Sequence, residues 1–214
     1  MNTIKRHRRS LLLLAVYFLG SLLYQWTNQP IGVVRTLWTP LDERIPFWSA
    51  FILVYHSWYP FILVGLWQVF VRDEGRFHRL MRHLIIAQLI AIVIFVVFQT
   101  EVIRPEITSQ DIFSRLVEWT YRIDRPYNGF PSIHVLTSLI TAWHYGRVFR
   151  DRPVQVLSYR LYSGLIILST LFVKQHMVWD ILGALAVAGL SYAFGRSQGK
   201  EVSWDETKQS KPMP

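Results

Sequence analysis

Six long apolar runs, separated by short segments rich in Arg, Lys, Pro and acidic residues, organise this chain. They are Leu11–Trp26, Phe47–Phe70, Leu84–Thr100, Pro131–Phe149, Leu157–Val173 and Met177–Phe194. A helix crossing the hydrocarbon core of a bilayer needs about 20 predominantly apolar residues, and each run reaches or approaches that length. The pattern predicts an all-α, polytopic membrane protein with six transmembrane helices. Residues 1–196 read as one six-helix domain and residues 197–214 as a polar, disordered cytoplasmic tail. Residues 27–46, with Pro30, Pro40 and Pro46, are expected to lie along the interface. Residues 101–130 form a long, charge-rich connection of the kind that often carries function.

The basic residues sort by side when the runs are counted off. One side collects Lys5, Arg6, Arg8 and Arg9, then Arg72, Arg76, Arg79 and Arg82, then Arg147, Arg150, Arg152 and Arg160, and finally Arg196, Lys200, Lys208 and Lys211. The other side holds the smaller set of Arg35, Arg44, Arg104, Arg115, Arg122, Arg125 and Lys174. Cytoplasmic loops carry the excess of Lys and Arg, so both termini are expected in the cytoplasm. The first run follows KRHRR as a signal peptide would, but Tyr24, Gln25 and Trp26 stand where a small-residue cleavage site belongs, so it reads as a retained span.

Composition narrows the class. Hydrophobic residues make up 51% of the chain and charged residues only 17%, against roughly a quarter charged in soluble domains. The net charge of +9 falls in short clusters between spans, which is topology rather than a nucleic-acid footprint. The chain has no cysteine, which excludes a thiol nucleophile and thiolate metal sites. No carboxylate cluster suggests a metal.

Three segments carry candidate chemistry. KQHMVWD places Lys174 and Asp180 within apolar sequence, where a charge costs about 2.5–3.5 kcal/mol. His176 and Asp180 are four apart, a spacing that puts them on one face of a helix. Asp180 could then fix the imidazole tautomer and leave the other nitrogen free as a nucleophile, although a self-satisfying pair or a proton path would use the same residues. NGFPSIH, residues 128–134, reads as a turn followed by a helix start, with Pro131 in the first turn. Its free amides and the Ser132 hydroxyl would bind an anion, with His134 one turn in as a proton donor. Arg104-Pro105 offers a planar donor fork to a phosphate, and Arg125-Pro126 competes for the same role. By the charge-derived topology all three segments meet at the outer face.

At PSIH followed by H-x3-D, with Arg104-Pro105 ahead of both, the chain resembles the type-2 phosphatidic acid phosphatase family over residues 98–183. The resemblance implies that His176 is the nucleophile forming phosphohistidine and Asp180 its charge partner. It implies that His134 protonates the leaving oxygen and then activates water, and that Ser132 and Arg104 bind phosphate. The family's first Lys has no counterpart ahead of Arg104, where Phe98 stands, and Thr170 occupies the position of a further Arg. Lys174, Gln175, Arg125 or Arg122 could fill these gaps. FPSIHV and KQHxxxD, with IPF at 45–47 and Tyr55-His56, look more like the branch that includes inositol phosphorylceramide synthase, whose members transfer a lipid head group.

These readings lead first to a membrane-integral lipid phosphate phosphatase acting on a phosphomonoester or diphosphate, without metal or cofactor. Its partners would be a lipid phosphate and the bilayer, not nucleic acid. Its place would be the cytoplasmic membrane, with the active site on the extracytoplasmic face. A head-group phosphotransferase using the same residues differs only in its acceptor pocket. A transporter relaying protons through His176 and Asp180 would instead require charges or broken helices in paired halves.

Overall fold

The computed structural model describes residues 7–197; Lys5, Arg6 and the expected tail from residue 198 onward lie outside the described residues. Among the described residues, five stretches are helical, long and apolar enough to cross a membrane: Arg8–Thr27, Ser49–Arg72, Glu74–Val97, Pro153–Phe172 and Val178–Gly195. The first is α1 (Arg8–Thr27). The second is a composite of a 3₁₀ turn (Ser49–Phe51), α3 (Ile52–His56) and α4 (Trp58–Arg72). Its break has a local cause: Pro60 lacks the N–H that would bond the His56 carbonyl and its ring crowds that position. Ser57 covers part of the gap by donating its hydroxyl to the Val54 carbonyl at 2.6 Å.

The third span, α5 (Glu74–Val97), begins ten residues before its apolar run because Asp73 caps it, accepting the Arg76 amide at 2.8 Å. The basic segment expected as a loop, with Arg76, Arg79 and Arg82, is therefore helix. The expected fourth span is α7 (Ile133–Val148) of 16 residues, about 24 Å long at 1.5 Å per residue and short of a ~30 Å hydrocarbon core. It is also the central helix, packed against α4, α5, α8 (Pro153–Phe172) and α9 (Val178–Ser197). Its start is thus sunk inside the bundle.

Leu80, Met81, Leu84, Ala87, Phe95, Val135, Leu136 and Ile166 form the buried core of the bundle. Leu12, Phe18, Leu63, Trp67, Val93, Leu161 and Leu185 lie exposed on its outside. In water such a surface would aggregate; in a bilayer it faces acyl chains. The chain is an integral membrane protein.

The connections 27–46 and 101–130 form a platform over one end of the bundle. Segment 27–46 contains strand β1 (Arg35–Thr36) and α2 (Pro40–Arg44), the latter started by a capping box between Thr39 and Asp42. β1 pairs in parallel with β2 (Thr100–Glu101), Arg35 opposite Thr100. The connection 101–130, expected as a loop, contains an amphipathic helix, α6 (Ile112–Ile123), capped by Asp111. Its buried Val117 packs with Ile52, Tyr55 and Val173 in a second core beneath the platform. Gln99 ties β2 to the end of α1, donating to the carbonyls of Thr27 and Gln29 at 3.0 and 2.8 Å. Asn128 does the same for the 128–134 segment, donating to the Tyr24 carbonyl at 2.9 Å. Thr100 accepts the Phe130 amide at 2.8 Å.

Candidate active site

The end of α8 decides where the site forms. Gln175 N–H bonds the Thr170 carbonyl at 2.9 Å and Lys174 N–H bonds the Leu171 carbonyl at 3.1 Å. This is the Schellman pair of bonds that closes a helix. Lys174 takes the left-handed position, with φ of 50°, which costs a non-glycine residue roughly 1–2 kcal/mol. The Lys174 ammonium donates to the carbonyls of Asp42 and Ile45 at 2.7 and 2.5 Å and so binds α2 to this turn. Lys174 therefore sits in a reverse turn, not within a membrane helix. Burial lowers its pKa and Asp42 opposes that shift.

His176 also precedes its helix, since α9 starts at Val178. The expectation that His176 and Asp180 share a helix face is corrected. Asp180 stands at the third position of α9 and reaches back, as the acidic member of a capping box does. Its Oδ2 accepts the Met177 amide at 2.8 Å and lies 3.3 Å from His176 Nδ1. The pair is buried, with His176 7% and Asp180 1% exposed. With Nδ1–H directed at the carboxylate, the Nε2 lone pair is the available one.

The second histidine comes from the start of α7. Pro131 falls outside the helix, and Ser132 is its cap, accepting the Val135 amide at 3.3 Å. Ser132 N–H donates to the Asp180 carbonyl at 3.1 Å, joining the starts of α7 and α9. Two of the expected anion-binding donors, the Ser132 and Val135 amides, are thus committed within the protein. His134 lies between Tyr55 and Trp58, with ring centroids at 4.6 and 4.5 Å, and its ring centre is 5.7 Å from that of His176. Its Nδ1 is buried with no hydrogen-bond partner among the described residues.

Small residues allow this approach. A Cβ on Gly183 of α9 would collide with the Phe130 ring, and one on Gly129 would press on Thr100 and Val102.

Arg104 lies on the same side. Its Nη1 donates to the Tyr121 carbonyl at 3.1 Å, and Nη2 donates to the Asp124 carbonyl at 2.9 Å and to Gln175 Oε1 at 2.6 Å. Its guanidinium stacks 4.4 Å over the Tyr121 ring. Two buried donors, Arg104 Nε and Gln175 Nε2, have no partner among the described residues. Buried donors are almost always paired, so these two mark a place for an acceptor. Arg104, Lys174 and His176 line one cleft of about 180 Å³, walled by Trp38, Ile103 and Met177. Arg125 is not part of it and lines a separate cleft with Gln25, Trp26, Asn28 and Gln29. Arg122 is exposed beside Glu118.

Asp124 had not been singled out in the sequence. Its Oδ1 accepts from Asn28 Nδ2 at 2.8 Å, and its carbonyl holds Arg104. Burial raises its carboxyl pKa, opposed by Arg104 and His176. Nothing local distinguishes it from the other acids of the 101–130 connection; only the fold brings α1 and Arg104 to it. Among the described residues no group of three or more His, Asp or Glu side chains could hold a metal ion.

Comparison with curated proteins and with solved structures yields no match. A family model for the PAP2 superfamily matches residues 29–194, a stretch that begins after α1 and contains His134, His176, Asp180 and Arg104. On that match, over far more than half of its length, the chain belongs to the PAP2 superfamily.

Proposed function

We propose that this protein cleaves a lipid phosphate ester through a covalent phosphohistidine on His176. The observation that carries the reading is the meeting of two buried histidines, one tied to Asp180, beside two unpartnered buried donors. In the first step the His176 Nε2 lone pair attacks phosphorus. The bond to the lipid oxygen breaks, and His134 gives that oxygen a proton. Water then attacks the phosphohistidine, returns a proton to His134 and frees His176. Arg104 Nε and Gln175 Nε2 would take the non-bridging oxygens, which gain charge in the transition state. No step calls on a metal. Replacing water by an alcohol converts the same site into a head-group transferase, a reading favoured by its small number of free cations.

Trapping tests the mechanism. Brief reaction with ³²P-labelled phosphatidic acid in detergent micelles, followed by denaturation, should leave label on the protein that survives alkali and is lost in acid. EDTA should not change its amount. Label that persists in the His176→Ala variant, or that is stable to acid, would refute the assignment.

The same reading makes α7 a sixth span of a cytoplasmic membrane protein. The platform then faces outward and both termini face the cytoplasm. Arg122 is 79% exposed at its side chain, and the chain has no native cysteine. Arg122→Cys in intact cells should therefore react with a membrane-impermeant maleimide. Reaction only after permeabilisation would invert the topology.

A further inference from the structure

Far from His176, toward the end of the bundle away from the platform, α7 and α9 leave a groove between them. Its volume is about 300 Å³, the lower end of the range for ligand pockets. Ile140 and Trp143 line it from α7, and Leu185, Ala188, Gly189 and Tyr192 line it from α9. Trp143 and Leu185 are about half exposed, so the groove opens sideways toward the bilayer. Gly189 keeps it open. Glycine weakens the interior of a helix, and close packing usually explains one there. A Cβ on Gly183 or Gly195 of the same helix would strike Phe130 or His83, but one on Gly189 would meet nothing within 4 Å.

The groove is apolar along most of its length and polar at one end. There His83 of α5 lines it, with its Nδ1 2.8 Å from His144 Nε2. One helical turn further toward the end of the bundle stand two cations. Arg79 is four residues before His83 on α5, and Arg147 is four after Trp143 on α7, so each shares the face of a residue that lines the groove. The Arg147 guanidinium lies 5.0 Å over the Trp143 ring. Acids near this end are committed elsewhere: Asp73 to Arg76, Asp151 to Arg72 and Glu74 to His7, each at 3.0 Å. Neither Arg79 nor Arg147 has a carboxylate partner among the described residues. An excess of Arg at helix ends sets topology in any membrane protein, but it does not call for a groove beside it. A chain-wide groove that ends at unpaired cations has the chemistry of an anionic lipid site.

We propose that this groove binds an anionic glycerophospholipid of the leaflet away from the platform. One acyl chain lies along Ile140, Leu185 and Gly189, and the phosphate is held by Arg79 and Arg147. The site is separate from the phosphohistidine chemistry and does not depend on it. It bridges α7 and α9, the two helices whose other ends carry His134 and Asp180, so the bound lipid braces the pair that positions them.

The test uses full-length protein in neutral detergent micelles and a phosphatidylglycerol with a diazirine at the end of one chain. After illumination and proteolysis, mass spectrometry should place the label within residues 139–143 and 185–192. Unlabelled phosphatidylglycerol should compete about tenfold better than phosphatidylcholine with the same chains, and glycerol phosphate, which has no chains, should not compete. Gly189→Leu fills the groove without a clash. It should cut the labelling by about tenfold while the melting temperature does not fall. The double variant Arg79→Gln with Arg147→Gln should abolish the preference for phosphatidylglycerol over phosphatidylcholine. Equal competition by phosphatidylcholine, competition by glycerol phosphate, or label spread evenly over the lipid-facing sides of α1 and α8 overturns the inference. So does undiminished labelling in folded Gly189→Leu. Should either variant fail to fold, label position and competition in the wild type decide alone.

Discussion

His176→Ala is expected to lower diacylglycerol release in detergent micelles by at least 10³-fold while leaving the fold in place. Removing a covalent nucleophile eliminates the two-step route, and the remaining groups supply only binding and charge stabilisation. The structural cost is small. The substitution removes one buried hydrogen bond of 3.3 Å, and Asp180 keeps the Met177 amide at 2.8 Å, so α9 remains capped. A melting temperature within a few degrees of wild type should accompany the loss. Turnover near that of wild type would end the case for His176 as nucleophile.

Arg104→Lys is expected to reduce kcat/KM by about 100-fold, equivalent to about 2.7 kcal/mol at 1.36 kcal/mol per tenfold, and to lower stability as well. The charge is retained, so a purely electrostatic role would tolerate the change. The geometry is lost: a single ammonium cannot reproduce the fork that reaches Tyr121, Asp124 and Gln175 while keeping Nε free. Each buried carbonyl left unpaired costs about 1–3 kcal/mol. Asp124 and Gln175 would also lose the bonds that position them. Activity within threefold of wild type would show that the guanidinium geometry is not used. Restoration by free guanidinium ion in the assay would support it.

Much of the architecture was legible because membrane insertion is read from local hydropathy. Five of the six apolar runs became helices long enough to cross a bilayer, and Ser132 marks the start of α7 by chemistry confined to one turn, whereas the starts of α5 at Asp73 and α8 at Pro153, outside the apolar runs, came only with the structure. The amphipathic helix α6 escaped notice. Its apolar residues recur on one face among charges, a pattern weaker than a continuous run, and its cover of Ile52 and Tyr55 is non-local. The pair of His176 and Asp180 was recognised, but for the wrong geometric reason. A spacing of four fits one helix face, and it equally fits a carboxylate at the third helical position reaching back past the cap.

By itself, the sequence determined the membrane character and the order of the five long apolar helices, and its motifs picked out the two histidines and the carboxylate that the fold brings together. Each of these follows from runs or spacings within a few helical turns. The tertiary structure alone decided which charged side chains stand beside the two histidines. It spent Lys174 on the carbonyls of α2 and sent Arg125 to another cleft. It drew Asp124 and Gln175 to Arg104 across 20 and 71 residues of chain. The physical reason is that a buried polar group must find its partner wherever the fold provides one, and that search runs through space rather than along the chain.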